Sequence, residues 1–107
     1  MQESYLYYYY GALGKKPDFE LGMVVMTRGI KEKMVNDPAY YDEVDRCFDR
    51  YIRKDLGVLG EEGDDGYVYE VADGEKIMGA YLTSKGYIYI STSYDRKGTI
   101  ICLSEER

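Results

Sequence analysis

Apolar side chains run almost without interruption through Phe19, Leu21, Met23, Val24, Val25 and Met26, as in a strand covered on both faces. Thr27 supplies an N-cap for a short helix reaching Met34, with Gly29 weakening it. The clearest start signal follows at Asp37-Pro38, an acceptor at the N-cap and a proline at the first helical position. The helix it opens extends to about Lys54 and sets Tyr41, Val44, Cys47, Phe48, Tyr51 and Ile52 on one face at helical spacing.

The C-terminal third changes to period two. Strands are predicted at Lys76–Thr83, Tyr87–Ser91 and Thr99–Leu103. The short turns Ser84-Lys85-Gly86 and Tyr94-Asp95-Arg96-Lys97-Gly98 between them imply an antiparallel meander. Tyr87 and Tyr89 share a face opposite Ile88 and Ile90, so one side is aliphatic and the other aromatic. The segment Gly66–Gly74 reads as strand by propensity. The expected fold is α+β: an antiparallel sheet of the first strand and the three-stranded meander, with helices packed on one face. The expected core is Leu21, Val24, Met26, Val44, Phe48, Ile52, Ile77, Tyr81, Ile88, Ile90, Ile100 and Cys102.

Residues 1–18 form a Tyr-rich N-terminal extension to a single domain at 19–107. Ser4 to Tyr10 has high β propensity and is closed by Gly11, Gly14 and Lys15-Lys16-Pro17. It reads either as an added strand or packed tail, or as an aromatic surface for a partner, since Tyr is enriched at interface hot spots.

Composition removes whole function classes. Among 107 residues there are 14 Tyr and no His. Triad and Cys-His nucleophiles, histidine metal ligands and imidazole proton shuttles are therefore excluded. Cys47 and Cys102 sit in apolar contexts, too few for a four-ligand zinc site, and read as buried thiols of a reduced, cytoplasmic protein. No apolar run approaches the roughly 20 residues of a membrane span.

The net charge of −6 argues against coating nucleic-acid phosphates directly. Its location says more. Asp37 to Asp65 holds ten acids and four bases, a net of −6, and the other 78 residues hold ten of each. On the helix Asp42, Asp45 and Asp49 form a stripe beside Arg46, Arg50 and Arg53. Asp42–Arg46 and Asp49–Arg53 are expected to pair at i,i+4. Beyond it Glu61, Glu62, Asp64 and Asp65 crowd a Gly-rich break from Asp55 to Gly66. That break lacks EF-hand spacing and the rigid carboxylates of two-metal nucleases, so no metal and no cofactor are expected.

Taken in order, Phe19-Glu20-Leu21-Gly22, Asp55-Leu56-Gly57, Gly74, Ala80-Tyr81 and Thr92-Ser93-Tyr94-Asp95-Arg96 resemble a family of short proteins from plasmids, phages and other mobile elements. These are labelled "plasmid-related protein" or, against their chemistry, "type I restriction endonuclease subunit M". The family pattern is F-x-L-G-x-V-V, D-W-G-D-L-x-E-E-D, N-D-x-A-L-x-x-G, I-L-S-A-Y and I-T-E-A-D-R-S-x-T-T-x-L-x-P-E-E-Y, and the match spans about residues 19–106. Leu56 replaces the family Trp, Val58 the acid after it, Gly66-Tyr67 the Asn-Asp pair and Ser104 the last Pro. Asp55, Gly57, Asp95 and Arg96 are what remains of the family's polar positions.

The resemblance implies a helix at 66–73 and a mobile-element accessory protein; small proteins of this kind include anti-CRISPR inhibitors of type II RNA-guided nucleases. No Gly-rich cofactor loop supports methyl transfer. The expected function is inhibition by binding, not catalysis. Asp42, Asp45, Asp49, Glu61, Glu62, Asp64 and Asp65 stand in for phosphates before a partner protein's basic surface, and Asp95 and Arg96 belong to the same candidate binding set. The alternatives are a plasmid or phage accessory protein of a restriction or maintenance system, a homodimer through the Tyr-rich extension, and a small Mg²⁺ nuclease with Arg96 or Lys97 on a phosphate.

Overall fold

The computed structural model describes residues 6–53 and 77–106. Five strands, β1 (Leu6–Tyr8), β2 (Met23–Thr27), β3 (Ile77–Thr83), β4 (Gly86–Thr92) and β5 (Gly98–Leu103), form one sheet in the order β1-β2-β5-β4-β3. Two helices, α1 (Arg28–Asn36) and α2 (Pro38–Ile52), follow β2 and pack on one face. The fold is α+β with a mostly antiparallel sheet. One pairing departs from the antiparallel expectation: β2 lies parallel to β5, with Val25 opposite Ile100. The chain returns through two helices and a hairpin before β5, and such a long connection permits parallel pairing where a tight turn does not.

Each helix starts for a local reason. Asp37 accepts from the Ala39 amide at 3.1 Å and Pro38 occupies the first position of α2, as the sequence signals. Thr27 is the N-cap residue of α1, but its hydroxyl donates to Glu106 instead of capping an amide. The Glu106 carboxylate itself accepts from the Gly29 amide at 3.1 Å, an anion at the positive end of the helix dipole. The chain's C-terminal turn thus closes the N-terminus of α1.

The core lies between helices and sheet. Leu21, Val24, Met26, Val44, Phe48, Ile52, Tyr81, Ile88 and Ile90 are buried as expected. Three expected members are not: Ile77, Ile100 and Cys102 are half-buried, while Ile101 and Leu103 are buried in place of the last two. The Ile90–Ile101 and Ile88–Leu103 pairings fix this register, and a shift of one residue along a strand exchanges its faces. Of the tyrosine pair that opens α2, Tyr40 is buried and Tyr41, expected on the apolar face, is exposed. The strand expected from Phe19 is β2 and begins at Met23, and α1 runs two residues past Met34.

A chain of hydroxyls crosses this core. Tyr51 Oη donates to the Ile77 carbonyl at 3.0 Å and lies 2.7 Å from Thr92 Oγ1. Thr92 Oγ1 is 2.8 Å from Thr99 Oγ1, which donates to the Leu21 carbonyl at 2.8 Å. Thr92 and Thr99 are cross-strand partners, so α2, the sheet and the approach to β2 are tied by buried polar bonds. The second face of the sheet carries a small cluster of Met78, Ala80 and Tyr89.

Candidate functional site

The acidic face of α2 is the part of the candidate surface that the structure describes. Glu61, Glu62, Asp64 and Asp65 lie outside the described residues, as does the segment 66–73 with its strand and helix alternatives. Asp42 is exposed and carries no hydrogen bond or ion pair among the described residues. Asp45 and Asp49, one turn apart, have a different setting.

The chain between Tyr9 and Asp18 lies along α2 as a strap. Tyr9 is buried, its ring edge-on to Phe48 at 5.2 Å, and its hydroxyl donates to Asp45 Oδ1 at 2.5 Å. Lys15 Nζ bridges Asp45 Oδ2 at 3.1 Å and Asp49 Oδ1 at 2.6 Å. The Asp18 amide donates to the carbonyl of Ile52 at 2.9 Å, satisfying an end group of the helix. Positions 45, 48, 49 and 52 form a single stripe of the helix, and the strap follows it in the same direction. Gly11 permits the close approach, because a Cβ there would stand 2.5 Å from the Tyr9 ring and 2.9 Å from Asp45 Oδ1.

These contacts correct the expected pairing. Lys15, not Arg53, answers Asp49, and the expected Asp42–Arg46 ion pair does not form. The residues read as an appendage supply an edge strand, a core tyrosine and the counter-charge of the acidic stripe. No sequence spacing signals this, since Lys15 and Asp49 are 34 residues apart; the one hint is a lysine pair in an otherwise apolar segment.

Electrostatics follow the geometry. Burial pushes the Tyr9 phenol well above its ordinary range, and the bond to anionic Asp45 adds to the shift. Desolvation opposes the Lys15 ammonium, yet the bonds to Asp49 and Asp45 leave its pKa raised. Burial likewise raises the Cys47 thiol to about 11, while Cys102 is half-buried, and the two cysteines are not joined in a disulfide.

Asp95 and Arg96 are turn builders. Asp95 accepts from Ser93 Oγ at 2.7 Å and the Lys97 amide at 3.1 Å, and these bonds hold its carboxyl below the usual range. Arg96 adopts a left-handed backbone (φ 59°) and donates to the Ser93 carbonyl at 2.9 Å. The structure does not join them to the acidic stripe through any described hydrogen bond or ion pair. A further carboxylate that the sequence reading passed over, Glu43, accepts from the Ser84 amide at 2.7 Å and the Ser84 hydroxyl, locking α2 to the β3–β4 turn. Both bonds lower its pKa, the hydroxyl's more.

Among the described residues no three His, Cys, Asp or Glu side chains are grouped to hold a metal ion, and no helix there is long and apolar enough to cross a membrane. No protein-family model, curated protein or solved structure matches the chain.

Proposed function

We propose that this protein is a mobile-element inhibitor that binds the basic nucleic-acid channel of a type II RNA-guided nuclease and keeps guide RNA or DNA out of it. The supporting observation is that the entire charge excess, −6, resides in the stretch from Asp37 to Asp65 on an otherwise neutral chain. Such a nuclease holds nucleic acid in a positively charged channel. A concentrated acidic surface is attracted to that channel over about a Debye length, roughly 10 Å at 0.1 M salt. Asp42 leads the described part of the surface, because Lys15 and Tyr9 already engage Asp45 and Asp49. Glu61, Glu62, Asp64 and Asp65 are the remaining acids in this reading, and the protein acts by occupancy, without catalysis.

The test is a DNA-cleavage assay with purified protein, nuclease and guide RNA, alongside co-elution in a salt gradient. Inhibition that weakens with salt, and weakens further by about tenfold in an Asp42→Lys, Glu61→Gln, Glu62→Gln variant, is the expected result. Cleavage at the uninhibited rate with no co-elution at low salt would overturn it. Fragmentation of guide RNA by the protein and Mg²⁺ alone would point to catalysis instead.

A further inference from the structure

Between the strap, the approach to β2 and Phe48 lies a groove of about 680 Å³. Its walls include Tyr8, Tyr10, Leu13, Phe19, Met23 and Phe48. Four of these are large apolar side chains left open to solvent: Tyr8 at 55% exposure, Tyr10 at 70%, Leu13 at 75% and Met23 at 53%. They line one groove beside the edge strand, and exposed apolar side chains gathered in this way suit an interaction surface. A volume of this size lies within the roughly 300–1,000 Å³ of ligand-binding clefts.

Three charged residues border the groove: Lys15, Asp18 and Glu20. Lys15 is engaged by Asp45 and Asp49. The carboxylates of Asp18 and Glu20 carry no hydrogen bond or ion pair among the described residues. The apolar trough is therefore bordered by two carboxylates that no described ion pair engages. A second copy meeting this face with its own groove is a poor match, because it would set another Asp18 and Glu20 against these two carboxylates.

We infer that this groove docks an extended segment of a partner protein in which a large apolar side chain is flanked by Lys or Arg. The apolar side chain enters between Leu13 and Met23, and the flanking cations meet Asp18 and Glu20. The inference rests on the reading that the partner is basic, and adds to it an apolar anchor. Charge then steers the encounter while the buried anchor sets the lifetime of the complex.

The experiment titrates the full-length protein with three blocked peptides, Lys-Lys-Phe-Lys-Lys, Lys-Lys-Gly-Lys-Lys and Glu-Glu-Phe-Glu-Glu, while following methyl resonances of Leu13, Met23, Ala12 and Val24. The first peptide is expected to shift them saturably, at least about tenfold tighter than either control. Leu13→Asp should abolish the shifts, and Asp18→Asn with Glu20→Gln should weaken them several-fold. Because Leu13, Asp18 and Glu20 are solvent-facing, amide spectra of these variants report whether the fold is retained. No saturable shift in the groove, equal binding of the glycine peptide there, or shifts that arise on concentrating the protein alone would overturn the inference. If the two lysine peptides move the Asp42 region equally and leave the groove still, the acidic-surface reading survives and the groove inference falls. If neither lysine peptide moves any acidic position, the acidic-surface reading fails as well.

Discussion

Replacing Asp45 by alanine removes the shared acceptor of the strap. Tyr9, only 3% exposed, then keeps a phenol donor with no partner, and Lys15 retains Asp49 alone. A buried donor left unpaired costs about 1–3 kcal/mol, and bonds to charged groups lie toward the upper end. Alanine's better helix propensity offsets about 0.5 kcal/mol of this. The expected net loss is roughly 1.5–2.5 kcal/mol, or about 6–20 °C in Tm for a domain of this size. Tyr9→Phe should cost only about 1 kcal/mol, because it deletes the donor and leaves Asp45 bound to Lys15. Lys15→Met should cost about 0–1 kcal/mol, since its ion pairs are partly exposed to solvent and screened by it. Urea denaturation followed by far-ultraviolet circular dichroism, on the singles and the Tyr9→Phe/Asp45→Ala double variant, measures the coupling. The double variant should fall short of the summed singles by about 1 kcal/mol. Additivity within about 0.3 kcal/mol, or an Asp45→Ala loss below about 0.5 kcal/mol, would show that the strap is not held at this joint.

Four other outcomes follow from the structure. Gly22 has φ +67° and its Cβ would run into the backbone of Lys97, so Gly22→Ala should destabilise by about 2–4 kcal/mol in chemical denaturation. The open, positive-φ Gly14 should lose about 1 kcal/mol on the same change. Thr92→Val breaks the buried hydroxyl chain between Tyr51 and Thr99 and should cost about 1–3 kcal/mol; a neutral result by the same assay would count against that chain. The folded-state pKa of Glu43 is lowered, so its contribution is present above its unfolded pKa and is lost as pH falls through the folded value. Melting curves in acid should therefore fall less steeply for Glu43→Gln than for the parent, and identical slopes would remove Glu43 from the acid response.

Much of the architecture was legible because it is local. Asp37-Pro38 sets the start of α2 whatever packs against it, and the period-two run from Ile77 to Leu103 dictates a meander. Ile88 and Ile90 opposite Tyr87 and Tyr89 follow from pleating alone. The errors fall where two registers satisfy the local pattern equally. Ile100, Ile101, Cys102 and Leu103 are all apolar, so alternation does not choose a face for β5; pairing to β4 does. Tyr40 and Tyr41 are chemically identical, and only the packing of α2 on the sheet decides which is buried.

The charge shows the same division. Sequence by itself determined how much negative charge there is, that it is confined to Asp37–Asp65, and that imidazole chemistry is excluded, since composition and order need no coordinates. Tertiary structure decided which of those charges remain available. Lys15 reaches Asp45 and Asp49 across 30 and 34 residues, and Ser84 reaches Glu43 across 41. Contacts of that separation depend on how strands and helices stack, and no pattern along the chain encodes them. The N-terminal tyrosines are the sharpest instance: by sequence either an added strand or packed tail or a surface for a partner, by structure an edge strand, a core residue and one wall of a groove.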